Sequence, residues 1–276
     1  MFEDIFRIFW VLALLIVVFY LSLRIARLNK KYWLSWYILN AIALFSVNAP
    51  RIFVKLSFLK LGSFKPCYAI SSGWSPIIIT SIALMAMFAS IMPKIPEKRV
   101  RRLMVVLIVI IQIRYIFLPI VSIIYYHDEL VNLKTIFDED VCMQSTDYTC
   151  GPAAAVTALK TFGIDSTESQ LALAADTVPL MGTDDRLLAN AIEELFGDQG
   201  IGCSVDYFDE IGEMKDKCPI LMVVKYGFMV DHFVAVLDVD EKYVVVGDPL
   251  NGKMSISHDV FKKEWRKIGI VIYRKQ

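Results

Sequence analysis

Cys150 opens the run CGPAAAVTALKTF, whose apolar residues, early Pro152 and trailing Gly163 predict a helix with the cysteine at its mouth. A thiol placed there faces unpaired backbone N–H groups and the positive end of the helix dipole, and both favour the nucleophilic thiolate. Six residues upstream, the amide of Gln144 could fold back and, with the Cys150 backbone N–H, offer two donors to a developing oxyanion. The chemistry these two residues imply is attack on a carbonyl carbon.

Such a cysteine needs a base, and the base needs an orienting group. Of three histidines, His127 closes an apolar segment, His258 lies in a polar stretch, and His232 opens the apolar run HFVAVL. Asp248 closes a second run, YVVVGD, with the polar residues Asp238 to Lys242 between the two. A hairpin centred on Asp240 would set Val236 opposite Val244, Val234 opposite Val246 and His232 opposite Asp248, where a carboxylate can hold an imidazole in one tautomer. Taken singly, a free cysteine is most often a small buried hydrophobe, and a histidine at a strand end is most often structural. The order Gln, Cys, His, Asp is what points to catalysis.

With those residues in place, the C-terminal half resembles the bacteriocin-leader, or double-glycine, peptidases, a family of papain-like cysteine peptidases. The resemblance covers roughly residues 138 to 276. It rests on Gln144, Cys150 to Ala153, His232 to Val234, Asp248-Pro249 with Gly252, then Ser257, Phe261 and Trp265, and on the Gly182-Thr183 pair between two helical patterns. It implies Cys150 as nucleophile, His232 as general base, Asp248 as orienting acid and Gln144 as oxyanion donor. No G-x-x-x-x-G-K-[ST] loop occurs in the sequence, so the peptide-exporting role of transporter-linked members is not implied.

The elements that must carry these residues follow from periodicity. A helix from about Pro152 bears the nucleophile. Thr167 with Gln170 forms a capping box for a second helix to about Ala175, and Asp184 to Phe196 is a third, with Leu187, Leu188, Ala191, Ile192 and Leu195 on one face. The period then changes to that of strands at Cys203 to Tyr207, Ile220 to Lys225, His232 to Leu237, Tyr243 to Gly247 and Ile268 to Arg274. Helices first and strands after predict an α+β domain over 131–276 with an antiparallel sheet. Val131 to Val141 reads as a short polar connector.

The front of the chain is different. Mean hydropathy is +0.52 and 56% of residues are apolar, and the excess lies in four stretches: Ile8 to Leu23, Trp33 to Val47, Ala69 to Met92 and Leu103 to Tyr126. With little polar face on any of them, they predict an all-α membrane region of four helices over 1–130. The first reads as an anchor, because Arg24 and Arg27 follow it and no small-x-small cleavage site does. Residues 1–127 carry 15 Lys and Arg against 3 acids, whereas 128–276 carry 14 against 26, so zero net charge hides a basic half suited to anionic lipid and an acidic half that argues against nucleic acid. Nine basic residues flank the helices on one side and six on the other, which puts both chain ends and the catalytic domain outside the cytoplasm. Gln112 and Arg114 fall inside the fourth span, where Arg114 invites a substrate carboxylate, a partner helix or backbone carbonyls.

Setting Cys150 aside, Cys142, Cys203 and Cys218 allow at most one disulfide in the catalytic domain, with Cys203 and Cys218 the candidate pair. A zinc site from Cys142, Cys150 and a histidine lacks any short paired spacing, and no cofactor is implied. The expected activity is that of a membrane-anchored cysteine peptidase acting on a peptide or protein near the bilayer. The alternatives are a papain-like amidase or acyltransferase, and a non-catalytic peptide-binding module or subunit of a membrane partner protein.

Overall fold

The computed structural model describes residues 2–28, 30–56, 73, 75–179, 181–227 and 230–275. Two compact units divide at Ile120 and Val121.

The first unit is helical. It contains α1 (Phe2–Ala26), α2 (Lys30–Leu56) up to Ile52, α3 (Ser75–Ile91) and α4 (Lys98–Gln112), the last running through a π-helical turn (Ile113–Phe117) into α5 (Leu118–Tyr125), whose residues from Val121 belong to the second unit. Among the described residues one helical segment, Pro76–Lys94, is long and apolar enough to cross a membrane, and Ala13–Ala26 is apolar but shorter. Residues 57–72, with Lys60, Lys65, Cys67 and the start of the third predicted stretch, lie outside the described residues, as do the side chains of Arg7, Arg51 and Lys55.

Large apolar side chains lie both outside and inside this unit, where Leu15, Met85, Ile108 and Ile116 form a buried cluster. Ile16 on α1, Phe45 on α2 and Leu103 on α4 are 70%, 65% and 59% exposed, whereas Ser22, Thr80, Ser81 and Ser90 are buried. The buried polar groups are paired. Trp36 Nε1 donates to Ser22 Oγ (3.1 Å), Trp33 Nε1 to the Ser90 carbonyl (2.7 Å), and Asn48 Nδ2 to Thr80 Oγ1 (2.7 Å). Gln112 Nε2 donates to the Ser81 carbonyl while Ser81 Oγ donates to Gln112 Oε1. Arg114, on the π turn, has an exposed side chain.

The second unit begins with a short helix, α6 (His127–Val131), and the hairpin β1 (Ile136–Asp138) and β2 (Val141–Met143). The stretch expected as a bare polar connector is therefore partly structured, since Phe137 pairs with Cys142 across a two-residue turn. Three helices follow, α7 (Cys150–Thr161), α8 (Glu168–Ala174) and α9 (Asp185–Phe196), each close to its expected bounds. Gly163, at φ +71°, ends α7 where the Ile164 N–H returns to the Leu159 carbonyl. Thr167 and Gln170 make the reciprocal capping box of α8, and Asp184 caps α9.

Strands β3 (Ile201–Tyr207), β4 (Ile220–Gly227), β5 (Val230–Val239), β6 (Tyr243–Asp248), β7 (Gly252–Ser257) and β8 (Trp265–Arg274) form one antiparallel sheet in the order β3-β8-β4-β5-β6-β7, with helix α10 (His258–Glu264) between β7 and β8. On one side of the sheet, α7 and α9 bury Ala154, Leu159, Leu188 and Ile192 with Leu221, Ala235 and Ile270. On the other, Phe208, Met214 and Phe261 cover Met222, Val234, Val236 and Val246. Helix α7 is buried from Gly151 to Leu159, and its alanines are what a helix enclosed on all sides requires.

Candidate active site

The site forms where the start of α7 meets the ends of β5 and β6. Cys150 is the first residue of α7, partly exposed, and the Thr149 side chain does not cap the helix, so the Cys150 and Gly151 N–H groups have no side-chain cap, while Pro152 has no N–H and the Ala153 N–H donates to the Thr149 carbonyl. Gly151 allows this helix start to sit against the 182–183 segment: a Cβ there would lie 2.9 Å from Thr183 Cβ and 3.3 Å from Leu188 Cδ2. Thr183 is itself held by a hydroxyl pair with Thr177 (2.9 Å).

His232 Nε2 and Asp248 Oδ1 lie 2.8 Å apart, both residues only 6% exposed. With Nε2 bonded to the carboxylate, Nδ1 is left for Cys150, whose side chain is close enough to influence the imidazole electrostatically. The expected pair is made, but not by the expected register. The turn lies at Glu241 and Lys242, whose flanking N–H groups bind the Asp240 carboxylate, and a bulge falls between Val236 and Asp238. Val236 therefore pairs with Val246 rather than Val244. Continued along the strands, this sets Asp248 beside Val234, and His232 reaches it diagonally.

The pair's electrostatics follow from its partners. Burial alone would lower the His232 pKa, but the hydrogen bond to Asp248, the hydrogen bond to Cys150 and the charges of both outweigh it and push the imidazole up to about 9. Burial works against the Asp248 carboxylate, yet the bonds from His232, the Leu250 N–H (2.9 Å) and Asn251 Nδ2 (2.8 Å) hold it below the ordinary range. Leu250 and Asn251 were not anticipated from sequence, although Asp-Pro-Leu-Asn-Gly is a turn signal that could have suggested them.

Gln144 sits between β2 and α7. Its backbone N–H donates to the Pro249 carbonyl (3.0 Å) and its Nε2 to the Thr146 carbonyl (2.7 Å), while its Oε1 is buried without a hydrogen-bond partner. The remaining cysteines of this unit are not poised for chemistry. Cys142, Cys203 and Cys218 are free thiols, each pushed up to about 12 chiefly by burial, so the Cys203–Cys218 disulfide is not present.

The sequence pattern of the Peptidase C39 family matches residues 138–276, half of the chain. The chain belongs to the Peptidase C39 family. As a C39 member it is a cysteine peptidase, and its α7 packed on an antiparallel sheet is the papain-like arrangement. Uncharacterized proteins of two methanogens are similar over the same half. That of Methanothermobacter thermautotrophicus is 28% identical over 137 residues (50% of this chain, 90% of the relative), and that of Methanothermobacter marburgensis 29% over 149 residues (54% and 99%). Solved C39 domains are more distant. The peptidase domain of Streptococcus ComA, a bifunctional ABC transporter of a quorum-sensing pathway, gives a TM-score of 0.43 at 21% identity, covering 49% of this chain and 96% of that one. A double-glycine motif protease from an AMS/PCAT transporter, in complex with a leader peptide, gives 0.42 at 19% identity, covering 49% and 91%.

Proposed function

We propose that the protein is a membrane-anchored cysteine peptidase that cleaves a peptide after a Gly-Gly pair. The observation that carries this reading is the buried 2.8 Å His232–Asp248 bond beside the cysteine at the start of α7. The Cys150 sulfur attacks the scissile carbonyl, forming an S–C bond, and the oxyanion accepts hydrogen bonds from the Cys150 N–H and Gln144 Nε2. His232, protonated, gives its proton to the departing amine as the C–N bond breaks. The neutral imidazole then takes a proton from water, which cleaves the thioester and returns the thiolate and imidazolium. Asp248 holds the ring and stabilises its charge.

The fixed orientation of the Gln144 amide supports its role. The Thr146 carbonyl fixes which end of the amide points where and leaves a second Nε2 hydrogen for the oxyanion.

The outward apolar side chains and inward polar pairs among the described residues of 1–130 support anchoring, because a bilayer rewards that distribution and water penalises it. The basic loops favour a peptidase domain outside the cytoplasm. Arg114, exposed inside the fourth span, is the natural contact for a carboxylate from a membrane partner.

Activity is tested with a fluorogenic peptide carrying Gly-Gly before the scissile bond, against the same peptide with Val-Val. Cleavage of the first alone, abolished by Cys150→Ala, is expected; equal cleavage of both would remove the Gly-Gly assignment. An alkaline-phosphatase fusion after Gln276 should be active, and a green fluorescent fusion dark. The reverse pattern would place the domain in the cytoplasm.

A further inference from the structure

Glu168, the first residue of α8, is fully buried. Among the described residues it forms no ion pair, and both its oxygens are committed to one exposed residue: Ser145 donates its N–H to Oε1 (2.9 Å) and its hydroxyl to Oε2 (2.6 Å). An enclosed carboxylate without a cation is costly to keep. Its two bonds do not join it to the core but hold a surface loop. That loop is the one leading from Gln144 to Cys150.

The loop's bonding makes the purpose specific. The Gln144 N–H is tied to the Pro249 carbonyl, which fixes the peptide plane before its Cα. The Ser145 N–H belongs to the peptide plane after that Cα, and Glu168 holds it. With both planes pinned, the direction of the Gln144 Cα–Cβ bond is set. Thr149, also fully buried, binds the Thr146 N–H (3.1 Å) and so steadies the residue whose carbonyl receives the Gln144 amide. We propose that Glu168 is a positioning residue for catalysis, holding the Gln144–Ser145 peptide so that the Gln144 amide points at the oxyanion formed when Cys150 attacks. This rests on Gln144 being the oxyanion donor.

A double-mutant cycle in the full chain tests it. The probe is p-nitrophenyl acetate, whose acylation of Cys150 forms the same oxyanion whatever the peptide preference. Gln144→Ala should slow acylation about 10²–10³-fold, as removal of one oxyanion donor does. Glu168→Gln, which cannot accept both Ser145 bonds, should slow it about 10–100-fold, the scale of a misplaced catalytic group. The double variant should be no slower than Gln144→Ala alone. If the two losses multiply, or Glu168→Gln acylates at the parental rate, the positioning role is overturned. If Gln144→Ala itself acylates at the parental rate, the oxyanion assignment falls first. Should Glu168→Gln not fold, Ser145→Ala keeps the backbone bond to Glu168 and removes the hydroxyl, with its contacts to Glu168 and to the Lys134 carbonyl (3.0 Å), at an exposed position. A smaller loss that vanishes in the Gln144→Ala background supports the proposal, and either no loss or a multiplying one rejects it.

Discussion

Replacing Asp248 with Asn keeps the shape of the side chain and removes its charge. An amide oxygen at the Oδ1 position can still accept from His232 Nε2 and the Leu250 N–H, which share that atom, while the new NH2 replaces the oxygen that binds Asn251 Nδ2. Folding should therefore survive with a modest loss of stability. The imidazole, however, loses the strongest influence raising it from 6.5 to about 9, a rise worth roughly 3 kcal/mol at 1.36 kcal/mol per unit. If its pKa returns to the ordinary value, about one ring in ten is protonated at pH 7.5, a loss of about tenfold. Looser orientation should add about another tenfold, giving roughly 10² in turnover, with the alkaline limb moved down by about two units. The assay is kcat/KM from pH 5 to 10 for parent and variant. An alkaline limb still near 9 in Asp248→Asn, or turnover within twofold at pH 7.5, would refute the assignment of Asp248 as the group that holds and charges the ring.

Dilute iodoacetamide near neutral pH should label Cys150 long before Cys142, Cys203 or Cys218, whose thiols burial holds near 12; equal labelling of Cys142 and Cys150 in mass-mapped peptides would contradict the nucleophile. Gly151→Ala brings a methyl within 2.9 Å of Thr183 Cβ, so it should cost about 1–3 kcal/mol of stability and lower turnover by shifting Cys150; thermal melts with activity at matched folded fraction check both. His232 has a folded pKa above its unfolded 6.5, so its contribution to stability is complete below pH 6.5 and is lost as pH rises through about 9. Asp248, with a lowered folded pKa, contributes above the ordinary carboxylate range and loses that contribution on acidification. The parent's melting temperature should accordingly fall more steeply between pH 6.5 and 9 than that of His232→Ala, and parallel slopes would count against the coupling.

The helix that begins at Cys150 was legible because Pro152, Gly163 and an alanine run are local signals, and the capping box of Thr167 and Gln170 was equally local. The pairing of His232 with Asp248 was anticipated by assuming a regular hairpin, and the pair survived an error in the register. The bulge between Val236 and Asp238 and the turn at Glu241–Lys242 shift the ladder by two residues, which preserves the face each side chain occupies. Strand β7 was missed because GKMSIS is a weakly patterned edge, and the β1–β2 hairpin because each of its strands is only three residues long, too short to show a period. Glu168 reads in sequence only as an ordinary first-turn acid. Its burial depends on Ser145, 23 residues away, and nothing in local pattern shows it.

Strand β8, residues 265–274, lies inside the sheet, between β3 and β4. During synthesis β3 and β4 therefore emerge with a gap between them that only a much later segment can fill. Cys150 leaves the ribosome 98 residues before Asp248, about 5–20 seconds earlier at ordinary elongation rates, and the sheet that brings His232 to the α7 start is incomplete until β8 arrives. A half-made chain thus carries the thiol without a working site. A stop codon before residue 265 should therefore leave β3 and β4 without the strand that joins them, and the sheet that carries His232 and Asp248 incomplete.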